Sequence, residues 1–259
     1  MNRLAVVTGA SSGIGRATAL RLVEEGWRVI AIARRAAVLN ELAASAGPEL
    51  IPMACDGGNG DAVLEIALAV QSKFGVPDLV INNAGAGQWK EIENTAPDEL
   101  NHMLDAPFRS AFHVTHAFIA AMLERGSGRI LHVNSPACIM PWGGCTGYAA
   151  VRFALRGLNE ALNADLTGTG VSSCNVIFGE VDSPYFEANP DSKHKMPGVA
   201  AVIPMMSADA CANILCRLSH GQQREVVAPF MLRTFVWCYH LCPGFVRWLI
   251  KCTQRKRSA

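Results

Sequence analysis

The sequence lacks a strong net charge and a recognisable secretory signal. Its 23 Lys and Arg almost balance its 22 Asp and Glu, so the net charge of +1 gives no general reason to expect a nucleic acid as partner. The start, "MNRLAVVTGA", passes directly into strand and turn patterns without a basic segment, a long apolar run and a cleavage site. We therefore expect a cytoplasmic protein whose partner is a small molecule.

The sequence also lacks the cysteine spacing of a metal or redox centre. It has nine cysteines, an odd number, and no Cys-x-x-Cys pair is found among them. Most of these cysteines have apolar neighbours, which is typical of buried cysteines that behave as small hydrophobic residues. The sequence therefore predicts no metal site.

Apolar, β-branched segments alternate with segments of helical periodicity along most of the chain. Continuous apolar strands that alternate with helices are typical of a parallel sheet covered on both faces. The pattern predicts an α/β fold, a doubly wound, Rossmann-type parallel sheet of seven strands, as a single domain over residues 1–229. The predicted strands are 4–8, 27–33, 49–55, 78–82, 128–134, 171–178 and 224–228. The helical periodicity is clearest at 13–25, 61–73, 97–123 and 148–167.

A glycine-rich turn, "TGASSGIG" at 8–15, follows the first predicted strand. Such a turn lets the backbone approach a pyrophosphate, and the N-terminus of the next helix offers free N–H groups and a positive dipole. The alternative, a plain tight turn, is weakened by the position between the first strand and first helix of an α/β chain. The residues predicted to bind a dinucleotide here are Gly9, Ser11, Ser12, Gly13, Ile14 and Gly15.

Two arginines end the second predicted strand. A cofactor with a free ribose 2'-hydroxyl calls for a carboxylate at this place, whereas a 2'-phosphate calls for arginine. Arg34 and Arg35 stand there instead of an acidic residue. Although exposed arginines are also common at helix starts, the pair favours NADP(H) over NAD(H).

Four further motifs follow in a fixed order. Asp56 follows the third strand, "NNAG" (82–85) the fourth and "NS" (134–135) the fifth, and Tyr148 comes thirteen residues after that serine. Together with "TGASSGIG", they resemble the short-chain dehydrogenase/reductase family from residue 4 to about residue 186. Each motif is modest alone, but their order and spacing together are highly specific.

The resemblance implies a nicotinamide-dependent oxidoreductase. Ser135 would hydrogen-bond the substrate carbonyl or hydroxyl, and Tyr148 would donate or accept the proton as hydride passes between nicotinamide and substrate. The adenine would lie at Asp56, and Val181 and Ser183 of "FGEVDS" (178–183) would face the nicotinamide amide. The other cofactor contacts that the resemblance implies are Asn83, Ala84, Gly85, Tyr148 and Arg152.

Two positions depart from the family pattern. The family has a lysine four residues after the tyrosine, and this chain has Arg152, which keeps the charge but presents a planar fork of donors. The family also has an asparagine in the long helix after "NNAG", and Pro107 stands at that place. Proline has no N–H, so it is compatible with a kink or bulge there, but it cannot offer the side-chain amide.

Two segments are expected to border the substrate. Met140 and Trp142 are the bulky members of the loop between Ser135 and the tyrosine, with packing in the core or at a subunit interface as the alternative. The irregular stretch 181–206 follows the sixth strand, and we expect a mobile substrate lid there rather than a disordered surface insertion. Tyr185 and Phe186 begin this stretch, so the sequence predicts an apolar or aromatic pocket.

The segment 230–259 is an apolar and aromatic C-terminal extension with a basic end, Arg255, Lys256 and Arg257. Charged residues and Pro243 interrupt it too often for a spanning helix, which needs ~20 largely apolar residues. Two alternatives remain. The extension is either an amphipathic piece on a membrane surface, that is, a peripheral membrane contact, or a helix that covers the substrate cleft or a partner subunit.

These observations favour an NADP(H)-dependent oxidoreductase of the carbonyl reductase or alcohol dehydrogenase type. Its substrate is expected to be a moderately bulky, apolar ketone or alcohol, with Ser135, Tyr148 and Arg152 as the catalytic residues. The alternative, favoured by Pro107 and Arg152, is a catalytically altered or inactive nucleotide-binding protein with a regulatory or scaffold role. The resemblance also implies a homodimer or homotetramer.

Overall fold

A parallel sheet of seven strands forms the centre of the molecule. The structure is a computed structural model that describes residues 3–254. The strands are β1 (Leu4–Thr8), β2 (Arg28–Ala33), β3 (Leu50–Ala54), β4 (Leu79–Asn82), β5 (Gly128–Asn134), β6 (Val171–Phe178), β7 (Val181–Asp182), β8 (Met206–Ser207) and β9 (Glu225–Ala228). The main sheet has the order β3-β2-β1-β4-β5-β6-β9, and all its pairings are parallel. This confirms the predicted fold, with each strand end within one residue of the prediction.

Helices cover both faces of the sheet because successive strand residues point to opposite sides. Val7 packs with Leu22 in one core, beside the first, second and eighth helices, and Val6 packs with Phe118 in the other. Each core is apolar, so burying both faces stabilises the central strands. The helices are α1 (Gly13–Glu24), α2 (Ala36–Ala46), α3 (Gly60–Phe74), α4 (Pro97–Leu104), α5 (Ser110–Arg125), α6 (Thr146–Asp165), α7 (Tyr185–Ala188), α8 (Ala208–Leu218), α9 (Phe230–Leu241) and α10 (Pro243–Thr253).

The long helical stretch predicted at 97–123 is interrupted. A π-helical turn, Asp105–Arg109, separates α4 from α5, and Pro107 lies buried within it. Because proline donates no N–H, a carbonyl one turn earlier loses its partner, and the wider π turn accommodates the ring. Pro107, which the sequence showed to be compatible with a kink or bulge, thus lies in a π-helical bulge, without the side-chain amide that the family pattern places there.

The irregular stretch 181–206 folds into short pieces. It contains the two-residue strands β7 and β8, which pair with each other outside the main sheet, and the single-turn helix α7. Short 3₁₀ turns at Pro190–Lys195 and Gly198–Val202 make up much of the remainder. This stretch lies beyond the carboxyl end of β6, where ligands bind in sheets of this kind.

The C-terminal extension forms a hairpin of two helices, α9 and α10. Leu232, Val236 and Val246 are buried and pack against Ile177 of β6 and Met140, so the hairpin shares a core with the main domain. Among the described residues 3–254, no helix is long and apolar enough to cross a membrane. The basic end predicted at Arg255, Lys256 and Arg257 lies outside the described residues.

Candidate active site

One cavity of about 970 Å³ lies at the carboxyl ends of the strands, between the glycine-rich turn and the C-terminal hairpin. The structure brings nearly all sequence-predicted site residues to its wall. Those that line it are Gly9, Ser11, Ser12, Gly13, Ile14, Arg34, Arg35, Asp56, Asn83, Ala84, Gly85, Ser135, Tyr148, Arg152, Val181 and Ser183. Gly15 alone among the predicted residues is not on the wall, because it packs beneath the turn.

The glycine-rich turn is held by contacts that leave no space for side chains. Gly9 has a φ of +65°, and a Cβ on Gly15 would come within 2.3 Å of the Gly9 carbonyl oxygen. Asn83 donates from Nδ2 to the Thr8 carbonyl at 3.0 Å, and the Thr8 Oγ1 accepts from the backbone N–H groups of Asn83 and Ala84. These bonds tie the turn to the end of β4, so the two predicted cofactor segments form one rigid floor.

We expect Gly15→Ala to destabilise the protein and to weaken dinucleotide binding. The added methyl group would collide with backbone and with Asn83, and overpacking of this kind typically costs about 1–3 kcal/mol. Gly157→Ala is the matched control, because Gly157 lies in α6 with open space around its Cβ position. That change should stabilise the helix by roughly 0.5–1 kcal/mol. Thermal unfolding and a cofactor titration of both variants would check this, and equal behaviour of the two would contradict it.

Three charged residues surround the outer end of the turn. Arg34 and Arg35 are exposed after β2, and Arg35 donates from its guanidinium to the Ser11 Oγ at 3.0 Å. Asp56 is exposed after β3, and its Oδ1 accepts from the Gly58 N–H. The two arginines therefore stand at the end of β2 beside the glycine-rich turn, with Ser11 linking one of them to the turn.

Ser135 is fixed at the end of β5 by a chain of buried amides. Its N–H donates to Asn134 Oδ1 at 2.9 Å, and Asn134 Nδ2 donates to Asn175 Oδ1 at 2.9 Å. Asn175 in turn donates to Glu225 Oε2, at the edge strand β9. The half-buried Ser135 hydroxyl therefore faces the cavity from a backbone that the sheet itself positions.

Tyr148 and Arg152 lie one turn apart on α6 and both face the cavity. Tyr148 is 5% exposed and Arg152 is 7% exposed. The guanidinium carbon of Arg152 lies 4.9 Å from the centre of the Tyr148 ring, and its Nη1 donates to the Val133 carbonyl at 3.2 Å. A buried positive charge is thus held directly against the phenol.

The Arg152 guanidinium is only partly satisfied within the described residues. Its Nε is buried without a hydrogen-bond partner, and no carboxylate among residues 3–254 forms an ion pair with it. A buried cation without a counter-charge is costly, so it indicates a site built to receive oxygen acceptors. Together with the Cβ-free floor at Gly9 and Gly85, this donor fits a nicotinamide dinucleotide, whose ribose hydroxyls supply such acceptors.

Aromatic side chains form a wall of the cavity beside Tyr148. Trp89 is buried and contacts Tyr148 and Trp142, with ring centres 5.6 and 5.0 Å apart. It also packs edge-on against Phe186 at 5.7 Å. Trp142 Nε1 is buried without a partner among the described residues, which leaves a donor beside the apolar wall. Trp142 thus packs in a cluster and also lines the cavity.

Trp89 is the site residue that the sequence reasoning missed. It belongs to the loop after β4, four residues beyond the "NNAG" motif. The signal that could have found it is the presence of a large aromatic residue just after the carboxyl end of a central strand, where ligands bind in these sheets.

Tyr185 joins this aromatic wall to Tyr148. Its hydroxyl donates to the Gly87 carbonyl at 2.7 Å and accepts from Trp89 Nε1 at 3.1 Å. Burial raises the pKa of Tyr185 above its ordinary value, and the neighbouring Tyr148 raises it further. Tyr185 therefore remains a neutral hydroxyl beside Tyr148 and acts as a fixed part of the wall.

The stretch 181–206 is fastened across the cavity to the loop after β4. Ser192 Oγ accepts from the Trp89 N–H at 3.1 Å, and Lys195 forms an ion pair with Glu91. The hydrogen bond from Lys195 holds the pKa of Glu91 below its ordinary value, so the pair is charged at neutral pH. These contacts, with Tyr185, close the cavity on one side.

The inner face of the C-terminal hairpin closes the cavity on the other side. Leu232, Phe235, Val246, Leu249 and Ile250 line it. Met140 contributes from the loop before α6 and is itself buried against Leu232. This part of the cavity is consequently apolar on several sides, and no charged residue of the hairpin lines it.

The cysteines do not form a reactive or metal-binding centre within residues 3–254. Six of the nine are buried, all nine are free, and no group of three or more His, Cys, Asp or Glu residues there could hold a metal ion. Burial raises the pKa of Cys145, beside the aromatic wall, to about 11. This thiol therefore stays protonated, and it donates to the Trp142 carbonyl.

Comparison with known proteins agrees with this geometry. The family model for "short chain dehydrogenase" matches residues 3–194. A 3beta-hydroxysteroid dehydrogenase of Mediterraneibacter gnavus is 34% identical over 205 residues, which cover 77% of this chain and 74% of that protein. The fold also matches a solved short-chain dehydrogenase from Streptomyces avermitilis, with a TM-score of 0.82, 23% identity and coverage of 96% and 97%. It matches the closed form of a serine dehydrogenase complexed with NADP+, with a TM-score of 0.80 and 23% identity. That match covers 88% of this chain and 95% of the other chain.

Proposed function

Because this chain belongs to the short-chain dehydrogenase family, we propose that it is an NADP(H)-dependent oxidoreductase of the carbonyl reductase or alcohol dehydrogenase type. Its substrate is a moderately bulky, apolar ketone or alcohol. The observation that carries the proposal is a single cavity with a phosphate-binding turn at one end and Ser135, Tyr148 and Arg152 beside an aromatic wall at the other. The end with the turn suits a dinucleotide, and the end with the aromatic wall suits an apolar carbonyl compound.

The bound dinucleotide would supply the hydride to the carbonyl carbon in the reducing direction. Ser135 Oγ donates a hydrogen bond to the carbonyl oxygen and holds it toward Tyr148. Tyr148 Oη then delivers its proton to that oxygen, so the product leaves as an alcohol. The Arg152 guanidinium stabilises the phenolate that remains, because it lies 4.9 Å from the ring and is shielded from bulk water. In the oxidising direction the same groups act in reverse.

The apolar wall supports the proposed substrate class. Trp89, Phe186 and Phe235 offer broad apolar surfaces, and the lining holds no cation at the hairpin side that would bind a phosphate or carboxylate. The relative from M. gnavus is named as a dehydrogenase of a hydroxysteroid, which is a bulky apolar alcohol of this kind. We test the proposal by following NADPH consumption across a panel of apolar ketones and small polar aldehydes. Turnover of the apolar members supports it, and turnover of the polar members alone contradicts the substrate class.

NADP(H) is proposed over NAD(H) on the strength of Arg34 and Arg35. A double change to alanine should raise the dissociation constant of NADPH about tenfold or more, because charge-assisted bonds to the 2'-phosphate contribute about 1.5–3 kcal/mol each. NADH binding should change little, since it lacks that phosphate. Fluorescence titration with both cofactors checks this. A similar loss for both cofactors, or none for NADPH, would remove the basis for the preference.

The stretch 181–206 is proposed to act as the substrate lid, since it lines the cavity and is held by Tyr185, Ser192 and Lys195. The enzyme is further proposed to assemble from two or four equal subunits. Phe112 on α5 and Phe153 on α6 are exposed and provide apolar surface outside the cavity for such contacts.

A catalytically altered or inactive nucleotide-binding protein is the second candidate, favoured by Pro107 and Arg152 at positions where the family has asparagine and lysine. It predicts that NADPH binds but is not consumed with any member of the panel. Restoring both family residues, Pro107→Asn with Arg152→Lys, should then create activity. Ready turnover by the unchanged protein would exclude this candidate.

A further inference from the structure

The C-terminal hairpin has a second apolar face that points to solvent. Along α9, Phe230, Trp237 and Leu241 follow at helical spacings i, i+7 and i+11, opposite the buried Leu232 and Val236. Phe230 is 70% exposed and Trp237 is 63% exposed. Six large apolar side chains of the hairpin are exposed, namely Phe230, Met231, Trp237, Leu241, Phe245 and Trp248. We call this set the outer face.

The outer face is too large to be an ordinary scatter of surface residues. Trp248 is 57% exposed, and its ring stacks on Phe245 with centres 5.9 Å apart, so the aromatic surface is continuous along α10. The inner face of the hairpin is not available to a partner, because it packs on the main domain and lines the cavity. Contiguous exposed apolar surface marks a site of contact with a partner or a membrane.

The charge of residues 226–259, which include the hairpin, distinguishes between a protein partner and a membrane. Residues 226–259 contain six of the 23 Lys and Arg of the chain and none of its 22 Asp and Glu. Residues 1–225 hold the other 17 Lys and Arg against all 22 acidic residues, so the two parts have opposite net charge. A partner that is complementary to the outer face therefore has an anionic surface over an apolar interior.

The cations stand at the edge of the aromatic surface. The guanidinium carbon of Arg233 lies 4.9 Å from the Phe230 ring centre, and Arg247 donates to the Tyr239 hydroxyl at 3.0 Å. Both arginines are exposed. Aromatic rings rimmed by arginine and lysine are typical of helices that lie in the headgroup region of a bilayer.

A second copy of the chain fits this face poorly. A two-fold contact through the same patch would bring Arg233, Arg247 and Lys251 of both copies together, and the segment offers no carboxylate to neutralise them. The two helices, with 12 and 11 residues, are also far shorter than a span of ~20 residues. A position in the plane of the membrane surface satisfies both observations.

We propose that the outer face of α9 and α10 docks this protein on an anionic lipid bilayer. The hairpin is one helix thick, about 10 Å, so docking would place the bilayer directly behind the apolar end of the cavity. The proposal rests on the hairpin alone and holds whether or not the cavity turns over a substrate.

The test is co-sedimentation of the full chain with vesicles of phosphatidylcholine alone and of phosphatidylcholine with phosphatidylglycerol. We expect binding to the anionic vesicles, and a fall of about tenfold or more for Trp237→Ser with Trp248→Ser. The matched control is Leu68→Ser with Ile92→Ser, which removes two side chains of similar exposure, 69% and 70%, from other surfaces. Thermal unfolding of both double variants establishes that they fold.

The charges are tested on the same vesicles. Arg233→Gln with Lys251→Gln should weaken binding several-fold and reduce its dependence on salt, because each cation near an anionic surface contributes to binding. Failure of the unchanged chain to bind anionic vesicles would overturn the proposal, as would equal losses in the tryptophan variant and its control. A fall in molar mass of the tryptophan variant by light scattering, without vesicle binding by the unchanged chain, would instead identify the face as a subunit contact.

Discussion

Tyr148→Phe is expected to lower kcat about 10²–10⁴-fold, the range over which a positioned general acid contributes to a rate. Phenylalanine keeps the ring that packs on Trp89 and lies beneath Arg152, so the cavity wall should remain in place. The change removes the hydroxyl that delivers the proton. Steady-state kinetics with the best ketone of the panel, together with an NADPH titration, would measure the two effects separately.

Tyr239→Phe is the matched control for this change. Tyr239 also carries a phenol, but its hydroxyl binds Arg247 on the C-terminal hairpin and does not line the cavity. Its kcat should stay close to that of the unchanged protein. If Tyr148→Phe kept full activity, Tyr148 could not be the proton donor. If it lost NADPH binding to the same degree as kcat, the tyrosine would act mainly in cofactor binding.

Arg152→Met is expected to lower activity and raise stability together. A unit charge about 5 Å from the Tyr148 phenolate stabilises it by roughly 3 kcal/mol gross at an effective dielectric of ~20. Because water in the cavity reduces this energy, we expect kcat to fall about 100-fold. Methionine also removes a buried cation that has no carboxylate partner within residues 3–254. The free energy of unfolding should rise by about 1 kcal/mol.

A fall in kcat together with a rise in the free energy of unfolding distinguishes a functional arginine from a structural one. Kinetics and denaturant unfolding of the same preparation measure both. Arg152→Lys should retain much of the activity, because it keeps the charge while losing the bond from Nη1 to the Val133 carbonyl. A methionine variant that is less stable and equally active would show that the guanidinium serves packing alone.

The strands and the glycine-rich turn could be predicted because their signals are local. Strand β1 is read from five consecutive apolar or β-branched residues, and Gly9 from the turn that must follow it. The break at Pro107 was predictable for the same reason, since a missing N–H acts within one helical turn. Local periodicity alone could not show that the helix continues through a π turn rather than ending there.

The aromatic wall and the two faces of the C-terminal hairpin could not be predicted, because they depend on contacts between distant segments. Trp89 and Trp142 come from two loops and Phe186 from the single-turn helix α7, and no spacing in the chain indicates that they meet. The sequence of 230–259 left two alternatives, a contact with a membrane surface or a helix that covers the substrate cleft or a partner subunit. The fold shows that the inner side chains line the cavity while Trp237 and Trp248 remain exposed.

The sequence by itself thus determined the parallel α/β sheet, the glycine-rich turn and the set of candidate site residues, because each depends on local backbone geometry or on a fixed motif order. The tertiary structure decided that Arg152 lies on the Tyr148 ring without a carboxylate partner among the described residues. It also decided which face of α9 and α10 is buried. Both depend on which segments pack together in space, and packing between segments far apart in the chain leaves no periodic signal in the sequence.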